Sequence, residues 1–489
     1  MEKRAIVCSS AIAFILAVQG ANAAPVAVRD AEMDRLLTQR LNRNLALEKR
    51  FDGQAKHVMG RARIDLSTCA FTVDLPASFI PNEDSEDFRD QLRGMESSLW
   101  SRARDLGCDG AGGSILFDGK SLEHYFPHDE NEPAVSTVKA TPTNEALTVV
   151  SAGHGLYYHH RYSDWRYQRD PTNSILEDEL TPLLADDLQR FVRERSEHEV
   201  RRTRSSSGHV HEGSGQAWWK LAARYELKEK YPELPAIWNS LPNSTAGDRE
   251  RKEDIRSRPL FANHLGAGGL IHVHTNAYEV DPSTRGARVY IHPKQMQNAP
   301  LARSMLCYMK ELITAQPGYE GFPVALTPNT DDHGENRLAN MPSVVVETAF
   351  HTNADDARAL QDPVFRAAAM KGVEKGYRLH REGKGCTPLK LNPIADLAVP
   401  SWDSAEVELK FDGYPQYPVV ATTTALSCPE GWECRDDKTT QGDPNWPVKL
   451  SLRCENSAAG RIVWQTELVD DDGVRAKPVT HAVDCGGSV

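Results

Sequence analysis

Nowhere does the chain hold an apolar run of the roughly 18 residues that a membrane-spanning helix needs. Positive charge is in deficit. The 57 Lys and Arg stand against 69 Asp and Glu, for a formal net charge of -12, which argues against nucleic acid or an anionic membrane held by broad attraction. The nine cysteines include no C-x-x-C pair, which argues against a cysteine-ligated zinc site. No internal repeat is evident. What remains is ordinary globular composition, 40% hydrophobic and 26% charged, and a length of 489 residues that suggests several domains.

The first residues read as an export signal. Lys3 and Arg4 precede an apolar stretch from Ala5 to Val18, and the small residues Gly20-Ala21-Asn22-Ala23-Ala24 follow, the order of a cleaved leader. Residues 1-23 are therefore expected to be removed, and the protein to be periplasmic or extracellular. Cys8 leaves with the leader, and eight cysteines remain for an oxidising compartment, an even number that favours disulfides. Cys69 and Cys108 bracket one predicted strand-helix-strand unit and are expected to pair. Cys428, Cys434, Cys454 and Cys485 are expected to pair among themselves, which leaves Cys307 with Cys386.

Three regions differ in pattern. Residues 24-126 predict a small α/β domain: a charged, leucine-periodic helix over 25-60, strands around Ile64-Leu66 and Phe71-Leu75, a helix over 84-106, and a strand at Ser114-Phe117. That second helix places Phe88, Leu92, Met95, Leu99 and Trp100 on one face. Residues 127-145, rich in Pro, Asp, Glu and Thr, read as a linker. From 146 to 386, short apolar runs alternate with long helical segments, which predicts an open, mainly parallel sheet flanked by helices. Residues 205-255 interrupt that rhythm as an insertion. Residues 395-489 alternate apolar and polar residues between Pro, Gly and Asp, and predict an all-β sandwich.

The ionisable residues fall at strand ends. Leu147-Thr148-Val149-Val150 runs into Ser151-Ala152-Gly153-His154, Leu270-Ile271-His272-Val273 ends at His274, and Val344-Val345-Val346 ends at Glu347. Ligands gather at the carboxyl ends of strands in open parallel sheets, so these residues can meet in space. Imidazole and carboxylate together suit Zn²⁺. A carboxylate directly after three valines is costly to bury unless it has a task.

These segments resemble, in order, the zinc-dependent N-acetylmuramoyl-L-alanine amidases with the type 3 catalytic domain. Val149 to Gly155 resembles the first zinc-ligand motif. Glu177, with Ala185 and Leu188 after it, resembles the glutamate that opens a helix, and Val200 to Arg204 the strand that closes this unit. Arg258 through Ala262-Asn263 and Leu270 to Ala277 resemble the helix and strand of the third ligand, and Arg285 to Tyr290 the segment after it. Met341 to Asn353 matches the catalytic-glutamate motif. The resemblance spans about 146-384 and implies zinc held by His154, Glu177 and His274, with Glu347 as catalytic acid/base. It further implies hydrolysis of the amide between N-acetylmuramic acid and L-alanine in peptidoglycan. Ser151 and Ala152 replace the family's acidic residue and proline, and Leu156 stands where a second glycine is common. His272 stands where the family has a small polar residue and is not assigned to metal.

Other readings stay beside this one. A zinc peptidase or carboxypeptidase acting on muropeptides uses the same ligand types, and a non-catalytic wall-binding protein could keep the fold. His209 and Glu212 have carboxypeptidase spacing, but lie in a Ser/Gly-rich loop without a supporting strand. His159, His160, His209, His211, His264, His292, His333 and His351 read as surface or loop residues, and Trp218-Trp219 as packing for the insertion. Glu212, Glu226 and Glu229 offer carboxylates with which the insertion could cover the zinc. The flanking domains are expected to engage the wall or a regulatory partner.

Overall fold

The computed structural model describes residues 26-110, 112-127 and 143-486. The expected leader and most of the expected linker lie outside the described residues.

The amino-terminal unit begins with helix α1 (Val26–Leu47), which buries Leu37, Leu41 and Leu45 at successive turns. The helix stops well short of the expected residue 60. The leucine period ends at Leu45, and the Arg50 guanidinium folds back to donate to the carbonyls of Leu45 at 2.6 Å and Glu48 at 3.0 Å, which satisfies acceptors a helix end leaves open. Strands β1 (Arg61–Asp65) and β2 (Ala70–Leu75) then pair antiparallel, and β3 (Gly113–Phe117) joins β2 in parallel. Between β2 and β3 lies α2 (Glu86–Asp105), whose amino end is capped by the Ser85 side chain accepting from Phe88 N–H. A short helix, α3 (Leu122–Tyr125), follows β3.

The central sheet has six strands in the order β12-β11-β13-β10-β4-β7. They are β4 (Asn144–Ala152), β7 (Glu199–Arg202), β10 (Ala267–Asn276), β11 (Arg288–Ile291), β12 (Asn329–Thr330) and β13 (Ser343–Phe350). Neighbours run parallel except β11, which is antiparallel to β13. Every residue of β10 and β13 is buried, as expected for strands covered on both faces. Val150, Ile271 and Val344 face the core beneath α4 (Glu177–Arg195), α8 (Ala299–Thr314) and α11 (Pro363–Arg381). Val149 and Leu270 face the other side, where they pack with Ala262 of α7 (Arg249–Leu265).

The segment 205-255 folds as a two-stranded hairpin, β8 (Val210–His211) with β9 (Gln216–Ala217), then α5 (Ala223–Lys230), α6 (Pro235–Trp238) and the first turns of α7. Tyr157, Leu221, Ala222 and Tyr225 form a small core there, with Trp165 and Trp218 packed against it.

Residues 390-485 hold a five-stranded sheet over which the paired strands Ser404–Glu408 and Lys449–Arg453 lie. Leu452, Cys454, Ile462, Trp464 and Val483 share one core, and Leu312 of α8 enters a second core with Val419, Leu450 and Leu468. Among the described residues the disulfides are Cys69–Cys108, Cys307–Cys386, Cys428–Cys434 and Cys454–Cys485, and none of them joins the outer regions.

The amino-terminal unit shares its hydrophobic core with the central one. The apolar face of α2 was legible in the sequence, but its polar face is buried too. Arg93, Glu96, Ser97 and Ser98 are all buried because β11, β12 and the loop after β10 cover them. Asn329 donates to Glu96 Oε1 at 2.6 Å, and the buried Arg288 donates to Ser97 O at 3.0 Å while its guanidinium lies 4.2 Å from the Trp100 ring centre. The Tyr278 ring rests on Gly94, where a Cβ would come within 2.0 Å of it.

A candidate metal centre and its catalytic carboxylate

Three adjacent parallel strands end side by side. His274 of β10 pairs in register with Glu347 of β13, and Gly153 N–H at the end of β4 donates to Val273 O at 2.9 Å. The chain turns sharply at His154, whose φ of 56° is uncommon for a residue with a Cβ. Gly153 has no alternative: a Cβ there would lie 2.3 Å from the His274 ring. Asp178 holds the turn from outside, accepting from Gly155 N–H at 2.9 Å and Gln168 N–H at 2.8 Å. The buried Arg204 donates to Gly153 O at 2.8 Å and Asp178 O at 2.9 Å, tying β4 to the start of α4.

That placement brings His154, Glu177 and His274 together. His154 Nε2 lies 3.3 Å from Glu177 Oε2, His274 Nδ1 lies 3.3 Å from Glu177 Oε1, and the two nitrogens are 3.2 Å apart. All three residues are buried. Glu177 is anchored by Thr275 N–H, which donates to Oε1 at 2.9 Å. Burial opposes its charge, but the two histidines outweigh that and hold its carboxyl well below the usual range. Burial holds the His154 ring below its ordinary value. His274 resists burial because Glu335 and Glu177 favour its charged form, which lifts it to about 10.

Glu347 shares the cavity with these three. It is buried, and its Oε2 has no hydrogen-bond partner. Burial, partly offset by His274, pushes its carboxyl up to about 7. The cavity, about 140 Å³, is also bordered by Gln168, Arg169 and Glu335, and by Glu86, Asp90 and Arg93 of α2. Arg169 bridges the two units, with Nη1 2.9 Å from Asp90 and Nε 3.6 Å from Glu177.

Several expectations need correction. His292, His333 and His351 lie in loops, one of the two settings expected for them, but they are buried rather than at the surface. His292 Nε2 lies 3.1 Å from Asp332, and His351 Nδ1 lies 2.9 Å from the Thr275 hydroxyl, because the loops that carry them fold back over the sheet. His211, on the hairpin, packs against Trp165 and Trp218. Glu212, Glu226 and Glu229 do not border the cavity; Glu226 and Glu229 line a separate cleft with Arg201 and Arg204. The segment instead sends Arg251 and Ile255 to the cavity. His272 stays out of the converging group. It is fully buried, both its ring nitrogens lack a hydrogen-bond partner, and burial pushes it down to about 3.

Sequence reasoning gave no role to Gln168, Asp254 or Glu335, and took Arg258 only as the start of the segment resembling the third ligand's helix, although all four are buried around the two histidines. The spacing of Asp254 and Arg258, four residues apart on one helix, was the available signal.

A histidine, a glutamate and a second histidine thus converge at the end of the sheet beside a buried carboxylate, as a candidate metal site. Residues 149-378 match the family model described as N-acetylmuramoyl-L-alanine amidase (Amidase_3), so this part of the chain carries a domain of that description. No curated protein matches the chain. Among solved structures, N-acetylmuramoyl-L-alanine amidase from Clostridium difficile 630 is similar at 14% identity, over 49% of this chain and 98% of that one, with a TM-score of 0.34. The amidase AmiC2 of Nostoc punctiforme is similar at 15% identity, over 49% and 99%, with a TM-score of 0.32.

Proposed function

We propose that the chain hydrolyses the amide between N-acetylmuramic acid and L-alanine in peptidoglycan, with zinc held by His154, Glu177 and His274 and with Glu347 as acid/base. The observation that carries this reading is the convergence of donors. Donors on a tetrahedral ion at about 2.0–2.1 Å stand about 3.3–3.4 Å apart; the two ring nitrogens are 3.2 Å apart, each lies 3.3 Å from a different oxygen of Glu177, and one donor atom from each residue falls within 4.8 Å of the others. Two imidazole nitrogens that close, with a carboxylate between them, suit a shared cation far better than one another.

Held by His154, Glu177 and His274, zinc would supply Lewis acidity toward the scissile carbonyl and toward a water, whose pKa on such an ion is about 7. Glu347 takes the proton of the attacking water and delivers it to the departing amine of L-alanine. Its carboxyl near 7 suits both halves of that task, since it holds and releases a proton near neutral pH. Glu177, kept ionised by its neighbours, stays free of that proton.

In this reading residues 1-23 direct export, and the catalytic region of about 146-386 works on the cell wall with 24-126 and 395-489 as flanking domains that engage the wall or a partner. Removing metal with a chelator is expected to abolish release of stem peptide from purified peptidoglycan, and added zinc to restore it. Full turnover in metal-free protein would exclude the proposal.

A further inference from the structure

Behind the three donors runs a closed chain of buried polar groups that begins at one histidine and ends at the other. His154 Nδ1 lies 3.3 Å from Gln168 Oε1, and Gln168 Nε2 donates to Asp254 Oδ2 at 3.0 Å. Arg258 Nη2 donates to that same Asp254 oxygen, and its Nη1 donates to Glu335 Oε1. Glu335 Oε1 lies 3.2 Å from His274 Nε2. Arg258 Nη2 also reaches the His154 carbonyl at 3.2 Å. Every side chain in the chain is nine-tenths or more buried.

The direction of each hydrogen bond follows from chemistry. A guanidinium only donates, so Asp254 and Glu335 face it as ionised acceptors. Asp254 can only accept, so Gln168 must turn its amide NH₂ toward Asp254 and its carbonyl oxygen toward His154. The proton between Gln168 and His154 therefore belongs to His154 Nδ1, and the lone pair of that ring lies on Nε2. By the same logic Glu335 requires a proton on His274 Nε2, so when that ring is neutral, as a metal ligand must be, its lone pair lies on Nδ1. Those two lone-pair nitrogens are the ones that meet Glu177.

We propose that Gln168 and Glu335 are positioning residues that set the tautomer and aim of His154 and His274, linked through one buried Asp254–Arg258 pair so that both rings are held to the same point. The proposal rests on the three residues being the metal donors. Neither residue touches substrate in this role. Each acts by holding a histidine that does the binding, as groups hydrogen-bonded to metal-ligating histidines do.

The test is zinc affinity of the metal-free full chain, measured with Zn²⁺ against a chromogenic chelator. Gln168→Met and Glu335→Met are each expected to weaken zinc binding by about 10–100-fold, with the thermal midpoint of the metal-free protein retained and with turnover recovered at high zinc. Glu335→Gln, which keeps an acceptor oxygen, is expected to lose less than Glu335→Met. Should Glu335→Met not fold, Gln168→Met decides the matter, because it changes no charge. Glu177→Ala is measured alongside. If Gln168→Met folds and binds zinc as tightly as the parent while Glu177→Ala does not, the positioning role is wrong and the donor set stands. If Glu177→Ala also binds as the parent does, the donor set itself is wrong.

Discussion

Glu347→Gln is expected to leave fold and zinc content unchanged and to lower kcat by about 10²–10⁴-fold, the usual contribution of a positioned acid/base. Glutamine matches the size of the side chain and its buried place beside His274, but it cannot accept a proton. The parent carboxylate has an oxygen without a partner and stands near neutrality in its proton affinity, so the lost property is the one the reaction uses. Three strand valines precede it, and β11 and β10 flank its strand, so the substitution has little room to move its neighbours. Steady-state kinetics with metal analysis of the same sample separates the two effects. A kcat within a few-fold of the parent would show that another group carries the proton.

Glu177→Ala is expected to fail differently, losing activity because it loses metal. The carboxylate is the only acidic member of the three converging donors, and it stands 3.3 Å from both histidine nitrogens. Without it the two imidazoles face each other across a gap and the Thr275 N–H loses its acceptor. Zinc should then bind weakly, and excess zinc should restore part of the turnover, which it cannot do for Glu347→Gln. Normal zinc content in Glu177→Ala, together with none in Glu347→Gln, would reverse the two roles.

The contrast between these residues also shows what a sequence can carry. His154, His274 and Glu347 were legible because each ends an apolar strand run, and strand ends in such a sheet converge on one edge. Glu177 was reached only through the family resemblance, since an acidic residue at the start of a helix has an ordinary electrostatic explanation. Gln168 and Glu335 carried no local sign at all. One sits in a loop rich in Arg and Tyr, the other in a single helical turn at Gly334–Arg337, and their meaning lies in contacts with residues 14 and 61 positions away.

The fold divides the same way. Periodicity placed the main strands and α2, but the polar half of α2 took its role from β11, β12 and the loop after β10, which local pattern does not encode. The reversed direction of β11 depends likewise on the absence of a crossover helix between it and β10. The insertion was visible as a break in rhythm, yet which of its residues reach the cavity depended on its path. That path sends Arg251 and Ile255 to the cavity and turns Glu226 and Glu229 toward Arg201 and Arg204.

Mass spectrometry of peptidoglycan digested by the purified full chain tests the central claim most directly. The account predicts free stem peptides that begin at L-alanine with an unblocked amine, together with glycan strands whose N-acetylmuramic acid has lost its peptide. Products in which the bond from muramic acid to L-alanine is intact and a bond within the stem is cut would contradict it.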